Sequence, residues 1–178
     1  IGVASLARSK PPEWMDAHLP AAFRLLAGTG APVVHYKLCS TFDSAPHVGS
    51  IGRAAEVAAA IFPGWFPMVV ADPAMGRFQC FGHLFALGPD GRVHRLDRHP
   101  SMARHPVTPM DEADLLRYLA KQTVLPTALV EMAQMARGEG DAALAAALAA
   151  GARIVSLDVA DAATLAEAGR LAWEGMAR

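Results

Sequence analysis

Strand followed by helix, repeated along the chain, predicts an α/β fold: a three-layer domain with a largely parallel sheet and a short hairpin insertion. Two observations carry that expectation. Short apolar runs bounded by turn residues alternate with stretches whose apolar residues recur at helical spacing. Between them, Gly76–Pro109 is rich in Gly, His, Arg and Pro, lacks helical periodicity, and holds Pro89-Asp90-Gly91 between two apolar stretches.

The elements follow in order. Gly2–Ser5 reads as a strand, and the opening Ile1-Gly2-Val3-Ala4 looks like the inside of a buried one, which implies that sequence precedes Ile1. A helix is expected around Met15–Ala27. Leu19, Phe23 and Leu26 recur on one face, Gly28-Thr29-Gly30 stops it, and Pro20 marks a late start or a kink. Val33–Tyr36 is the next strand. A helix from Ser50 to Ile61 buries Ile51, Ala54, Ala58 and Ile61 and ends at Pro63-Gly64. Pro67–Ala71 is a strand, and Leu84–Leu87 and Val93–Leu96 pair across the Pro-Asp-Gly turn. Helices are expected at Asp111–Lys121, Thr127–Arg137 and Asp141–Ala150, then a strand at Ile154–Leu157. A last helix, Asp161–Met176, places Leu165, Ala168, Ala172 and Met176 on one face.

Composition narrows the function classes. The 178 residues fit one domain, with hydrophobic residues at 53% and charged ones at 19%. Sixteen basic residues nearly cancel seventeen acidic ones, and no stretch shows the basic excess of a nucleic-acid binder. No apolar run approaches the roughly twenty residues that span a bilayer, and no export signal is present, so no membrane partner and a cytoplasmic location are expected. Cys39 and Cys80 are too few for a disulfide framework or a four-cysteine zinc site, and read as reduced thiols.

Chemistry concentrates in His35–Ala54, H-Y-K-L-C-S-T-F-D-S-A-P-H-V-G-S-I-G-R-A. A strand ends, a polar loop follows, and a helix starts at Ser50; in open α/β sheets ligands bind outside the carboxyl ends of strands. Gly49 and Gly52 let backbone approach a ligand, and free amides at the helix start favour an anion. Lys37 and Arg53 add positive charge, while Ser40, Thr41, Asp43 and Ser44 suit a polyol. Together they fit a small hydroxylated carboxylic acid. The competing reading is a serine-rich turn with Ser50 as helix cap. No Gly-Lys-Ser/Thr ending marks a P-loop, and no G-x-S-x-G elbow marks a hydrolase.

A second segment, Leu96–Leu115, repeats Arg-His-Pro at 98–100 and 104–106. Its guanidiniums and imidazoles, Arg104 and His105 among them, suit a carboxylate or phosphate; a solvent-facing loop held by Asp97–Arg pairs is the alternative. Zinc at His94, His99 and His105 is disfavoured by spacings that match no usual ligand pattern. Arg8-Ser9 after the first strand, and Asp72 and Arg77 after the third, face the same crevice in this reading; the alternative is that they only form turns or cap helices.

The block C-S-T-F-D-S-x-P-x-x-G-S-I-G-R-A, from Cys39 to Ala54, closely resembles a branch of the four-carbon acid sugar kinases. The D-R-H-P-x-M-x-R-H-P-V-T-P-M-D-E-A-D-L stretch ending at Leu115 and the Arg8-Ser9 turn are similar to the same family, and the likeness runs over essentially the whole chain. Most of the family carries a K-x-D-S-T-L-R-G type loop where this chain has Cys39–Ser44. The resemblance implies that residues 1–178 are a sugar-acid-binding domain, a fragment of an ATP-dependent kinase acting on a terminal hydroxyl of threonate, erythronate, 3-oxo-tetronate or a branched sugar acid. ATP and Mg²⁺ would bind mainly on a C-terminal ATP-binding domain, the chain's expected partner. The family's D-D-x-T-G block is expected upstream of Ile1. On this resemblance Lys37, Arg53 and the amides after Gly49 hold charge. Ser40, Asp43 and Ser44 bind hydroxyls, and Arg104 and His105 close the site. Asp43 is a candidate base, in competition with the upstream aspartates. The rival reading is a stand-alone, non-catalytic small-molecule-binding domain.

The histidine spacing carries one test: elemental analysis of purified protein is expected to find no stoichiometric zinc, and a bound tetrahedral metal at His94, His99 and His105 contradicts the reading.

Overall fold

The structure is a computed structural model that describes residues 1–176. In chain order it contains α1 (Pro12–Ala27), α2 (Ile51–Ala59), β1 (Phe66–Met68), β2 (Arg77–Cys80), β3 (His83–Leu87) and β4 (Val93–Arg95). Then come α3 (Leu115–Leu119), β5 (Thr127–Val130), α4 (Met132–Ala136), α5 (Gly140–Ala149), β6 (Ile154–Leu157) and α6 (Ala162–Gly175). The α/β class expected from the sequence is what forms. A parallel three-stranded sheet runs in the order β1-β6-β5, and a separate antiparallel sheet in the order β2-β3-β4.

All four residues of β6 are buried, as a central parallel strand requires, and Phe66 and Thr127 both align with Ile154 across its two edges. The return from β5 to β6 runs through α4 and α5, the crossover that parallel pairing needs. The main core gathers Phe42, Leu84, Leu96, Leu115, Leu157 and Leu171, whereas Met15, Leu19, Phe23 and Ala54 form a second cluster between α1 and α2.

The two sheets are joined at one buried carboxylate. Asp158, fully buried just past β6, accepts from Phe81 N (2.7 Å), Gly82 N (3.0 Å) and Met132 N (3.1 Å), and from Gln79 Nε2 (3.1 Å). Phe81 and Gly82 form the tight β2–β3 turn with φ of 50° and 76°, so both amides point inward at the carboxylate. Gln79 and Val159 exchange backbone hydrogen bonds beside it at 2.7 and 3.1 Å. The turn then positions α3: Leu84 N donates to Ala113 O and Leu115 N to Gly82 O.

Four expectations change in detail. Gly2–Ser5 and Val33–Tyr36 run without a ladder partner, because no neighbouring strand lies beside either among the described residues. Val34 and Tyr36 instead line, with Phe66 and Met68 of β1, an apolar cavity of about 450 Å³. Thr127–Val130 is strand rather than helix. The apolar run continues straight into α4, and periodicity across such a junction imitates one longer helix. The helix expected from Asp111 starts only after Asp114, whose carboxylate caps it by accepting from Leu116 N and Arg117 N. Pro20 lies inside α1, which already begins at Pro12. The hairpin forms as expected, closed by Gly91 N on Gly88 O, and gains β2 as an unforeseen third strand.

Replacing Asp158 by alanine takes the acceptor from the buried Gly82 N–H, the partly buried Phe81 and Met132 N–H groups and the buried Gln79 amide. Each such group costs about 1–3 kcal/mol, so Asp158→Ala is expected to destabilise the fold by more than about 3 kcal/mol in denaturant unfolding.

Candidate functional site

The loop between Cys39 and Ser50 is built around Asp43. Thr41 Oγ1 donates to Asp43 Oδ1 at 2.7 Å, Cys39 Sγ lies 3.4 Å from Oδ2, and Arg8 Nη2 forms an ion pair with Oδ2. Arg8 is largely exposed whereas the Asp43 side chain is 7% exposed, so the guanidinium caps a carboxylate set into the loop. The preceding residue, Phe42, is fully buried with φ of 55°. A bulky side chain in the left-handed region persists only where its surroundings hold it, and the Tyr118 ring meets Phe42 edge-on at 6.3 Å.

Arg8-Ser9 and this loop touch through backbone. Gly49 N donates to Lys10 O at 2.9 Å, and a Cβ on Gly49, at φ of 61°, would lie 2.4 Å from the Arg8 carbonyl oxygen. Only glycine lets the two segments meet here.

The start of α2 is less open to a ligand than its sequence suggests. Ser50 caps it by accepting from Arg53 N at 3.0 Å, and Gly52 N donates to Gln122 Oε1 at 3.3 Å. Gly52 is also required sterically, since a Cβ there would come within 2.6 Å of Gln122. Ser44 is buried; its hydroxyl donates to Phe42 O (2.9 Å) and accepts from Gln122 Nε2 (2.9 Å). Its carbonyl accepts from the Tyr118 hydroxyl at 2.5 Å. Burial, with the charges of Asp111 and Asp43, pushes the Tyr118 hydroxyl up to about 12, so it stays a donor at neutral pH.

The remaining expected residues divide. Arg53 turns to Asp16 and Glu56, both at 2.6 Å, which hold its guanidinium above its usual range; the Asp16 pair also pins α2 to α1. Burial raises the Glu56 carboxyl, but hydrogen bonds from Arg53, Thr123 and Val124 outweigh it and the net shift is downward. Lys37 is exposed and Ser40 half-buried; neither has a hydrogen bond or ion pair among the described residues. Ser9 Oγ bonds back to Leu6 O.

Arg104 and His105 sit on the Arg-His-Pro loop, and no hydrogen bond or ion pair joins that loop to Cys39–Ser50 among the described residues. Its histidines act as turn acceptors. His99 Nδ1 receives Ser101 N and Met102 N at 3.2 Å, and His105 Nδ1 receives Val107 N at 3.4 Å and Thr108 N at 3.0 Å. Asp97 pairs with Arg95 at 2.6 Å, which leaves Arg98 and Arg104 exposed. No group of three or more His, Cys, Asp or Glu among the described residues is placed to hold a metal. Tyr118 and Gln122 are the residues that sequence reasoning missed. Nothing in local spacing marks them; a buried tyrosine's need for a hydrogen-bond partner is the nearest signal.

A family model described as a sugar-binding N-terminal domain matches residues 1–178. The chain is 49% identical over 175 residues to the 3-oxo-isoapionate kinase of Paraburkholderia graminis, covering 98% of this chain and 37% of that kinase. It is 36% identical over 161 residues to the 3-oxo-tetronate kinase of Burkholderia multivorans, covering 89% of this chain and 36% of the relative. The crystal structure of a Haemophilus influenzae protein of the DUF1537 family superposes with a TM-score of 0.79 at 30% identity, over 91% of this chain and 39% of that one. The chain therefore spans little more than a third of these relatives' length.

The Arg8–Gly49 contact has a measurable consequence. Gly49→Ala combines a left-handed backbone with a backbone clash, and is expected to destabilise the domain by roughly 2 kcal/mol or more in thermal or denaturant melts.

Proposed function

The chain belongs to the family of sugar-binding N-terminal domains, and from that premise we propose that it is the acceptor-binding part of an ATP-dependent kinase that phosphorylates a hydroxyl of a sugar acid. The observation that carries this reading is the placement of Asp43. Two segments 35 positions apart meet so that one carboxylate is held by Arg8 and Thr41 at the mouth of a polar loop. A carboxylate held this way is preorganised to accept a hydrogen bond from a substrate hydroxyl and to orient it for attack, the role general-base catalysis requires. Arg8 and Lys37 supply positive charge for the acid's carboxylate, and the Ser40 hydroxyl is free to contact the polyol. Arg53 supports this arrangement from behind, by fixing α2 on α1.

Phosphoryl transfer depends on positioning and charge neutralisation. The residues present do not fit the nucleotide: no glycine-rich phosphate cradle occurs in the sequence, and no metal-holding cluster occurs among the described residues. ATP and Mg²⁺ thus belong, in this reading, to the remainder of a longer protein, and the C-terminal ATP-binding domain is the natural partner. In this reading Arg104 and His105 would close over the acid from the second loop once that partner and the substrate are bound.

Steady-state kinetics on the full-length protein test the assignment, with 3-oxo-isoapionate and 3-oxo-tetronate as acids because the relatives carry those names. Asp43→Asn is expected to lower kcat with little change in KM. Arg8→Ala is expected to raise the KM for the acid roughly tenfold, the worth of one charge-assisted hydrogen bond. Wild-type kinetics in both variants would return the loop to a helix-capping turn.

A further inference from the structure

Asp43 is bracketed by two residues that are themselves tied to α3. On one side Phe42, held in the left-handed region, packs its ring on Tyr118. On the other, every polar atom of Ser44 with an assigned bond leads to Phe42 or to the α3 segment: the hydroxyl to Phe42 O and Gln122 Nε2, the carbonyl to the Tyr118 hydroxyl. Gln122 lies just past α3, with its N–H on Leu119 O, and its other amide atom takes Gly52 N at the start of α2. A single side-chain amide therefore spans the loop from Ser44 to Gly52.

We propose that Tyr118 and Gln122 are positioning residues, which set the loop carrying Thr41 and Asp43 in the geometry the acceptor acid requires. The inference rests on the kinase reading above and deepens it. The chemistry at position 122 is specific. The Ser44 proton is already committed to Phe42 O, so the partner of Ser44 Oγ must be a donor, while the partner of Gly52 N must be an acceptor. A side-chain amide supplies both at that reach. Glutamate lacks the donor and methionine lacks both. Tyr118 acts beside it through its hydroxyl, since the ring alone satisfies the packing on Phe42. Buried polar groups with all partners in place hold one geometry, whereas an apolar filling of the same space would bury the loop without fixing the direction of Asp43. The same α3 is set by the β2–β3 turn through Leu115 N on Gly82 O, so the clamp stands on a rigid part of the fold.

The test uses the full-length protein with the two acids named above. Tyr118→Phe and Gln122→Met are each expected to raise the acid KM roughly fivefold to tenfold, as loss of about one buried hydrogen bond implies, with the ATP KM unchanged. Hydrogen exchange of residues 39–44 should quicken in both, while β5 and β6 keep wild-type protection. Ser44→Ala should cost less in the Gln122→Met background than alone, because Gln122, one of the hydroxyl's two partners, is already lost while the bond to Phe42 O remains. Unchanged exchange in the loop overturns the clamp. Faster exchange with an unchanged acid KM overturns the positioning role and leaves Tyr118 and Gln122 as structure. Asp43→Asn serves as the reference: if it lowers kcat while the clamp variants behave as wild type, the positioning inference alone fails. If Asp43→Asn is silent too, the site reading fails with it. Should Gln122→Met not fold, Tyr118→Phe keeps the ring on Phe42 and decides the question by itself.

Discussion

The buried carboxylate of Asp158 is the constraint on which the rest of the molecule leans. It stands where the parallel sheet ends and receives three backbone N–H groups and one side-chain amide from two separate stretches of chain, residues 79–82 and Met132. A carboxylate offers about four acceptor sites, and here four donors meet them. No cation is needed, because amide dipoles that converge on one point do the work of a counter-charge without the desolvation cost of a buried arginine. What this secures is the docking of the antiparallel β2-β3-β4 sheet on the end of β6.

From that anchor the structure propagates by backbone contacts toward the candidate site. Gly82 donates its N–H to Asp158 and offers its carbonyl to Leu115 N, so a single turn residue links the sheet junction to the start of α3. The far end of α3 then carries Tyr118, with Gln122 just past it, and the two meet Ser44 and Gly52. The polar loop is thus bound to the most deeply buried strand of the fold through one short helix. Its other flank is held by the Arg8–Gly49 contact and by the Arg53–Asp16 ion pair between α2 and α1. Loops that carry function are commonly placed by a rigid scaffold in this way.

The charged residues of the two conspicuous segments divide their labour unevenly. Arg8 reaches Asp43 in the loop, whereas Arg53 spends its donors on Asp16 and Glu56. The repeated Arg-His-Pro acquires a plain physical meaning. Each imidazole accepts amide hydrogens from two and three residues further on, the way an asparagine or aspartate side chain closes a turn, and the arginines are left exposed. A repeat that reads as a pair of anion ligands is, in its histidines, a pair of turn locks.

The sequence by itself determined the α/β class, the Pro-Asp-Gly hairpin and the helices α1, α2, α5 and α6, and it singled out the loop at Cys39–Ser50 as the candidate site. Each of those depends on local rules: apolar period, turn chemistry, the cap at Ser50, and a dense polar block with a family likeness. The tertiary structure decided what local rules cannot reach. Whether Val33–Tyr36 becomes a strand depends on a neighbour to pair with, and Thr127–Val130 becomes one because Ile154–Leu157 lies beside it. Which arginine serves Asp43 is a matter of where α1 and α2 pack, not of distance along the chain. The roles of Tyr118, Gln122 and Asp158 were invisible for the same reason. Their partners lie 74, 78 and 77 positions away, and a hydrogen bond between such residues has no signature in either one's own neighbourhood.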